Sequence, residues 1–163
     1  MQYTLSILVE NHAGVLSKIS GLFSRRGFNI DSLAVGVTGD PKVSRITIVA
    51  NGDEYVVEQL EKQLNKVIPV IKVKRLSEGD FISRELILIK VHCAASKRSE
   101  IIKTAEIMQA KIVDAAPSCV TIEYSECSQR VKTLIDMLRP YGIREIVRTG
   151  TIAIDRGNTA VSV

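Results

Sequence analysis

The sequence predicts an α+β protein that contains two tandem copies of one βαββαβ unit. The first observation is periodicity: runs of alternating apolar and polar residues, typical of half-buried strands, repeatedly give way to helical spacing. The second is order, because strand, helix, strand, strand, helix, strand is complete by residue 76 and starts again at residue 85. The third is the Ser-Glu-Gly-Asp segment at residues 77–80, which interrupts both periods. Two units of this order form the split-βαβ, or ferredoxin-like, arrangement.

The elements of the first unit follow in order from residue 2. Residues 2–9 alternate between apolar and polar side chains, which predicts a strand. Residues 15–26 then place apolar side chains at helical spacing, and Gly27, which follows Arg25 and Arg26, ends the predicted helix. A turn around Gly39 and Pro41 joins two further strands, and Asp53 is placed to cap the second helix. The remaining strands of this unit cover residues 30–37, 43–50 and 70–76.

The second unit repeats these elements with its own apolar stripes. Its strands cover residues 85–93, 111–115, 118–124 and 143–154, and its helices cover residues 99–110 and 127–139. We therefore expect a first domain over residues 1–76, a linker over 77–84, a second domain over 85–157 and a loose tail over 158–163.

Composition and charge restrict the environment of the protein. The chain is 45% hydrophobic and 25% charged with a net charge of +4, which is typical of a soluble globular protein. No apolar run approaches the roughly 18 residues of a membrane span, and the amino-terminal residues alternate instead of forming a signal peptide. We therefore expect a cytoplasmic protein with no membrane partner. Cys93, Cys119 and Cys127 are odd in number and widely spaced, so no disulfide framework is expected.

Three function classes that this fold supports are disfavoured by particular residues. RNA recognition needs aromatic side chains on the two central strands, and Tyr3 is the only one there, so no nucleic-acid partner is expected. A metal-carrying unit needs a Cys-x-x-Cys pair in the first loop, where His12 stands alone, so no metal site is expected. An enzyme needs a nucleophile with a base, paired acids or a cofactor loop. No such motif is present, so no catalytic residue and no cofactor is expected in this chain.

The loop between the first strand and the first helix has the properties of a carboxylate site. A helix amino terminus presents unpaired N–H groups and the positive end of the helix dipole. Gly14 has no side chain to block the approach to its own N–H group and to those of Val15 and Leu16. Asn11 can both donate and accept hydrogen bonds. The alternative is that Gly14 serves only the turn and Asn11 only caps the helix, and the residues alone leave both interpretations open.

Asn29 offers the same amide chemistry at the other end of this helix, where the chain enters the second strand. Ile30, Leu33 and Val35 supply apolar surface beside it. A helix of roughly 12 residues is about 18 Å long, so Asn11 and Asn29 of one chain cannot hold one small ligand together. Two subunits with exchanged helix ends bring them together. The sequence therefore favours a small carboxylate, such as an amino acid, held between two copies of the domain.

Longer motifs resemble one known family over the whole chain. In the first unit these are NxxGVLS from Asn11, GLFSRRGFNI from Gly21 and DPxxSRxTI from Asp40. In the second unit the motifs are less distinctive, RELILIKV from Arg84 and IVDAAPSCVTIE from Ile112. Together they resemble the regulatory small subunit of acetolactate synthase, also called acetohydroxyacid synthase. The first half of that family is an ACT domain, a small-molecule-sensing form of the split-βαβ fold.

The resemblance implies a non-catalytic, regulatory role. The large catalytic subunit of the family holds thiamine diphosphate, Mg²⁺ and FAD, and condenses two pyruvates, or pyruvate with 2-ketobutyrate. The small subunit raises that activity and transmits feedback inhibition by valine or another branched-chain amino acid. ACT domains of the family pair side by side with effector sites at the interface, which implies that this chain forms a homodimer.

The effector site that the resemblance implies draws on two subunits. Its residues are Asn11, Gly14, Val15 and Leu16 from one subunit and Asn29 and Ile30 from the other. The loop N–H groups hold the effector carboxylate, Asn29 contacts its polar head, and apolar neighbours contact its side chain. An apolar pocket separates ligands that differ by one methylene by only about 1–3 kcal/mol, so the effector is assigned as a class, the branched-chain amino acids.

A free-standing amino-acid sensor with tandem ACT-like domains, acting on another partner, is the alternative function. A DNA-binding regulator is disfavoured, because no helix-turn-helix segment remains once both units are assigned. The two functions differ in whether the purified chain activates a catalytic subunit.

Overall fold

The computed structural model describes residues 1–163 and contains nine strands and four α-helices. The strands are β1 (Gln2–Glu10), β2 (Ile30–Val37), β3 (Val43–Asn51), β4 (Val70–Leu76), β5 (Phe81–His92), β6 (Lys111–Ala116), β7 (Cys119–Glu126), β8 (Ile143–Arg148) and β9 (Ile152–Asp155). The helices are α1 (Val15–Arg25), α2 (Glu54–Leu64), α3 (Arg98–Met108) and α4 (Ser128–Leu138). None of them is both long enough and apolar enough to cross a membrane. The chain forms two compact units, an N-terminal unit of Met1–Ile82 with Thr151–Val163 and a C-terminal unit of Ser83–Gly150.

The N-terminal unit contains a four-stranded antiparallel sheet in the order β2-β3-β1-β4. β1 and β3 pair along their whole length, from Gln2 opposite Asn51 to Glu10 opposite Val43. Alternate residues of each strand point to one face, which α1 and α2 cover. The buried core of this face consists of Leu5, Ile7, Val9, Val15, Ile19, Phe23, Ile46, Ile48, Ala50, Leu60 and Leu64. This order leaves β2 as an edge strand.

The C-terminal unit has the same architecture, with strands in the order β6-β7-β5-β8 packed against α3 and α4. Its irregularities also recur: the register shifts at Leu8–Val9 between β1 and β4 and at Lys90–Val91 between β5 and β8. Each edge strand also has a β-bulge, but at a different level: the extra residue is Asp31 near the start of β2 and Val113, nearer the hairpin, in β6. The predicted α+β fold with two ferredoxin-like units is confirmed, and the two units agree in element order and in the register shift beside the central strand.

The observed elements differ from the predicted ones chiefly at the unit boundaries. The turn after β4 covers only Ser77–Asp80, and β5 begins at Phe81 within the predicted linker over residues 77–84. The prediction of one long strand over residues 143–154 is wrong, because the segment is divided into β8 and β9. Gly150 between them adopts a φ of 86°, a left-handed conformation that an extended strand cannot contain.

The second face of the N-terminal sheet, opposite the helices, is rich in polar residues. The register places on it Ser32, Ala34 and Gly36 of β2, Arg45, Thr47 and Val49 of β3, Thr4, Ser6 and Leu8 of β1, and Lys72, Lys74 and Leu76 of β4. Ser6, Leu8 and Thr47 are nevertheless almost inaccessible to solvent. A sheet covered on one face only would leave these residues exposed, so this face is covered too.

Residues Thr151–Val163, here called the C-terminal segment, contact this second face. The contacts are Thr151 N–H to Ser32 Oγ (2.6 Å), an Arg45 guanidinium N–H to the Ala153 carbonyl (2.9 Å), Lys74 Nζ to Asp155 Oδ1 (2.8 Å) and Lys72 Nζ to the Ser162 carbonyl (3.1 Å). The segment therefore crosses the sheet from β2 towards β4. This arrangement differs from the predicted second domain over residues 85–157 and tail over 158–163, because every residue after Gly150 belongs to the N-terminal unit.

Asp155 is the charged residue through which the C-terminal segment contacts the sheet. Its side chain is only 8% exposed. Burial lowers the pKa of the Arg45 guanidinium, and the nearby charge of Asp155 partly reverses that shift. Ser6 Oγ, Arg45 Nε and Asp155 Oδ2 are buried without a hydrogen-bond partner. Buried polar groups without a partner reduce stability. The ion pair of Asp155 with Lys74 offsets part of this cost, so the attachment of the C-terminal segment depends on the charge of Asp155.

We expect Asp155→Asn to loosen the C-terminal segment. The substitution keeps the shape of the side chain but leaves Lys74 and Arg45 without a counter-charge, which should cost about 1–2 kcal/mol of local stability. Native-state hydrogen exchange should then be faster at the Thr151 and Arg156 amides, which form hydrogen bonds within the N-terminal unit.

Glu145→Gln is the control for this substitution. It removes the same charge from a pair with Lys90 whose two side chains are largely exposed and 3.9 Å apart. Such a surface pair contributes about 0–1 kcal/mol, so exchange in the C-terminal segment should not change. Equal exchange rates in wild type and Asp155→Asn would contradict the role of Asp155.

Candidate functional site

The predicted carboxylate loop lies where β1 ends and α1 begins. The Asn11 N–H donates to the Lys42 carbonyl at 2.8 Å, and Asn11 Nδ2 donates to the Pro41 carbonyl at 2.9 Å. Both bonds attach the loop to the turn between β2 and β3, so Asn11 does not cap the helix. Its side-chain oxygen and the second N–H of its amide are left for a ligand. His12 is exposed and lies 3.1 Å from a Glu10 carboxylate oxygen. No group of three or more His, Cys, Asp or Glu side chains is placed to hold a metal ion.

Gly14 is the N-cap residue of α1, directly before Val15, and it leaves the helix end open. Its φ of 86° lies in the left-handed region, no side chain caps the helix, and the first turn contains no acidic residue. A Cβ at this position would meet no atom within 4 Å. The positive end of the helix dipole and the first-turn N–H groups are therefore accessible to an anion. The turn requires a glycine, and the same glycine keeps the N–H groups accessible, so the two interpretations of Gly14 are compatible.

Val15, Leu16 and Ile30 differ in what their side chains offer to a ligand. Val15 is buried in the core of the N-terminal unit, so only its backbone N–H is available. Leu16 is exposed, and Ile30 is half-buried and packs against the core. Apolar contacts at this site therefore come from Leu16 and Ile30 and not from Val15.

Asn29 lies just before β2 and belongs to a short polar network. Its Nδ2 donates to Asp31 Oδ1 at 3.1 Å, and Asn51 Nδ2 donates to Asp31 Oδ2. Sequence reasoning identified Asn29 but missed Asp31 and Asn51. The i, i+2 spacing of Asn29 and Asp31 was a usable signal. Asn51 joins them only because β3 ends beside the start of β2.

The loop and Asn29 lie at opposite ends of the N-terminal sheet. Glu10, just before the loop, pairs with Val43, whereas Ile30, just after Asn29, pairs with Ala50. Seven residue steps of β3 separate these two levels, which is about 23 Å at 3.3 Å per residue. Asn11 and Asn29 of one chain are therefore far apart in the structure. This agrees with the separation that the sequence predicted from the length of the helix.

The edge strand β2 carries apolar side chains that the helices do not cover. Leu33 packs against the core, whereas Val35 is 49% exposed and Val37 is more exposed still. The outer edge of the strand also presents backbone groups that have no partner strand. An edge with these properties is typical of a strand that pairs with another chain.

Comparison with known proteins assigns the chain to a family. A model for the AHAS small subunit-like ACT domain matches residues 5–72, and a model for the small subunit of acetolactate synthase matches residues 84–157. The chain is 49% identical over 158 residues to the probable acetolactate synthase small subunit of Archaeoglobus fulgidus, and the alignment covers 97% of this chain and 99% of that protein. The chain belongs to the acetolactate synthase small-subunit family.

Further relatives support the same acetolactate synthase family. The small subunit of Mycolicibacterium smegmatis is 47% identical over 155 residues, which cover 95% of this chain and 91% of that protein. The crystal structure of the Thermotoga maritima small subunit superposes with a TM-score of 0.89 at 37% identity and covers 98% of this chain and 99% of that one. The resemblance drawn from the motifs, including the ACT domain, is confirmed. As a member of this family, the chain is a small, non-catalytic subunit of an enzyme of branched-chain amino acid biosynthesis.

The C-terminal unit does not repeat the candidate site. Its loop between β5 and α3 contains neither a glycine nor an asparagine, and Cys93 at its start is buried. The bulge of its edge strand lies nearer the hairpin than the bulge at Asp31 and carries Val113, which has no carboxylate. The candidate site is therefore a property of the ACT domain and not of the repeated fold.

We expect Gly14→Ala to destabilise the chain although the new side chain would meet open space. The left-handed φ costs a residue with a Cβ about 1–2 kcal/mol. Gly21→Ala in the same helix should instead increase stability by up to about 1 kcal/mol, because its surroundings are open and alanine favours a helix interior. Urea denaturation followed by circular dichroism measures both effects. Equal effects of the two substitutions would contradict the strained position of residue 14.

Proposed function

We propose that this chain raises the activity of the large catalytic subunit of acetolactate synthase and confers feedback inhibition by a branched-chain amino acid. Membership of the small-subunit family supports the identity of the partner. One observation supports effector binding. The open helix end at Gly14 and the amide of Asn29 lie at opposite ends of a sheet whose edge strand β2 is free, so pairing of two copies along β2 would bring the two groups together. We assign thiamine diphosphate, Mg²⁺ and FAD to the catalytic partner and none of them to this chain.

The effector site is completed by a second copy of the chain. Antiparallel pairing of β2 with β2 of a second copy, about a two-fold axis between Leu33 and Ala34, sets Ile30 of one copy opposite Val37 of the other. Val37 adjoins the turn to which Asn11 is bonded. Asn29 of one copy thus lies next to the loop of the other, and the homodimer has two equivalent sites.

Each group at this composite site has a complementary part of an amino acid. The first-turn N–H groups after Gly14 donate hydrogen bonds to the carboxylate, which is also favoured by the positive end of the helix dipole. Asn29 of the second copy binds the polar head. Leu16 and Ile30 contact the aliphatic side chain, which favours a branched-chain amino acid over a polar one.

Regulation then follows from the position of the effector between two subunits. An effector that contacts both copies stabilises the dimer arrangement in which the loop and Asn29 are closest. If the catalytic subunit binds a different dimer arrangement more tightly, effector binding weakens the binding of the catalytic subunit, and the reverse also holds. The size of this mutual effect is the coupling free energy. Couplings of this kind are typically about 1–3 kcal/mol, enough for a 5- to 150-fold change in affinity.

The test is reconstitution with the catalytic subunit, together with two substitutions of Gly14. We expect the wild-type chain to raise the rate of pyruvate condensation and to make it sensitive to valine. Gly14→Asp should keep activation but weaken valine binding at least about tenfold, because it places a negative charge at the carboxylate site. Gly14→Asn is the matched control, since asparagine has the same size and also tolerates the left-handed conformation. Calorimetry on the purified chain measures the affinity.

Each outcome of this experiment separates the candidate functions. If the rate neither rises nor becomes sensitive to valine, the proposed function fails. Valine binding without any effect on the catalytic subunit would instead support the free-standing sensor. Equal valine affinity in Gly14→Asp and Gly14→Asn would remove the loop from the site, provided that both variants are folded.

We expect Val35→Asp to convert the dimer into monomers. The substitution places a charge in the apolar contact beside β2 and costs desolvation energy in the assembled state. Val113→Asp is the control, because Val113 is equally exposed, at 50% against 49%, and lies on the edge strand β6 of the other unit. Sedimentation velocity should give a monomer for the first variant and a dimer for the second. A dimeric Val35→Asp chain would contradict pairing through β2.

A further inference from the structure

Asp31 occupies the β-bulge of the edge strand β2. The register of β2 on β3 passes from Ile30 opposite Ala50 to Ser32 opposite Val49, so Asp31 is the extra residue. A bulge redirects the side chain of its extra residue away from the regular alternation. The carboxylate of Asp31 consequently reaches two amides, those of Asn29 and Asn51.

The chemistry of a carboxylate determines how these two amides are turned. An ionised carboxylate only accepts hydrogen bonds, so each asparagine must present its NH₂ group to Asp31. Nδ2 of Asn29 donates to Oδ1 and Nδ2 of Asn51 donates to Oδ2. With its NH₂ group held in this way, Asn29 turns its Oδ1 away from Asp31. Asn29 therefore exposes its Oδ1 as a hydrogen-bond acceptor with a negative charge behind it, beside the second N–H of its NH₂ group.

We infer that Asp31 is a positioning residue that makes the effector site specific for an α-ammonium group. This inference rests on the proposed function and concerns the same site. An amino acid presents its ammonium donors to Asn29 Oδ1, and the charge of Asp31 strengthens that contact. The 2-oxo acid with the same carbon skeleton presents a carbonyl oxygen at this position, which faces another acceptor and has no proton to donate. The site thus distinguishes an amino acid from its 2-oxo analogue.

A discrimination of this kind suits the reaction that the chain is proposed to regulate. The substrates of that reaction are 2-oxo acids, which share a carboxylate with the effector and would otherwise compete for the open helix end. A hydrogen bond between a charged donor and a protein acceptor corresponds to about 10- to 100-fold in affinity. The carboxylate end of the site cannot supply this selectivity, because both classes of compound carry that group.

The C-terminal unit provides an internal comparison for Asp31. Its edge strand also has a bulge, between Ile112 and Asp114, but this bulge lies nearer the hairpin than the one in β2, and its extra residue is Val113. A carboxylate is therefore not needed to form a bulge in an edge strand of this kind. The acidic side chain occurs only in the unit that has the open helix end.

Calorimetry on the full chain with valine and with 3-methyl-2-oxobutanoate tests this inference. We expect wild type to bind valine at least about tenfold more tightly than the 2-oxo acid. Asp31→Asn should reduce valine affinity about 10-fold and leave the affinity for the 2-oxo acid the same or higher, so that the ratio of the two affinities decreases. Asn51→Ala, which removes one of the two bonds that hold the carboxylate, should change the ratio in the same direction by a smaller factor. Asp136→Asn, an exposed charge on α4, is the control and should leave the ratio unchanged.

The ratio of affinities separates positioning from a merely structural role. A general distortion of the site would weaken both compounds equally, and that result would overturn the inference. An unchanged ratio and unchanged affinities in Asp31→Asn would overturn it as well, while wild-type binding of valine would leave the proposed function intact. A wild-type chain that binds neither compound would overturn the proposed function and this inference with it.

Discussion

The antiparallel order β2-β3-β1-β4 is the constraint on which the rest of the candidate site depends. With β3 between β2 and β1, the loop into α1 and the entry into β2 lie at opposite ends of the sheet. No side chain spans that length, so in the proposed dimer each copy of the ACT domain supplies half of a ligand site at each end. In that dimer, effector binding and association are one linked equilibrium, and the apparent affinity for the effector depends on protein concentration wherever the dimer dissociates.

The two half-sites are also chemically opposite. One presents backbone donors at the positive end of a helix, and the other presents an acceptor oxygen beside a carboxylate. In the proposed site, a zwitterionic amino acid fits between them in a single direction, because reversal would place like charges together. Orientation is therefore determined by the polar ends, and the half-exposed apolar side chains between them have only to accommodate the remaining aliphatic group.

Much of this arrangement was predictable from local sequence, because local forces determine it. Asp53 caps α2 by accepting a hydrogen bond from the Tyr55 N–H at 3.2 Å, and Gly14 begins α1 as its position suggested. Features that depend on distant partners were not predictable. The break at Gly150 falls between two apolar runs that read as one strand, the bulge at Asp31 exists only relative to β3, and the contacts of the C-terminal segment join residues 81 to 119 positions apart. Periodicity reports on a segment and its own neighbours and carries no information about such pairings.

The C-terminal segment also has a consequence for how the chain is made. It makes the ACT domain discontinuous in sequence, with the C-terminal unit inserted between Ile82 and Thr151. Synthesis proceeds from the amino end, so the first unit to leave the ribosome is the last to be completed. A chain that stops before residue 151 leaves Arg45 and Lys74 without the partners that they have in the finished protein. The N-terminal unit is therefore completed only after residues 151–163 have been synthesised, which makes its assembly depend on translation of the C-terminal unit.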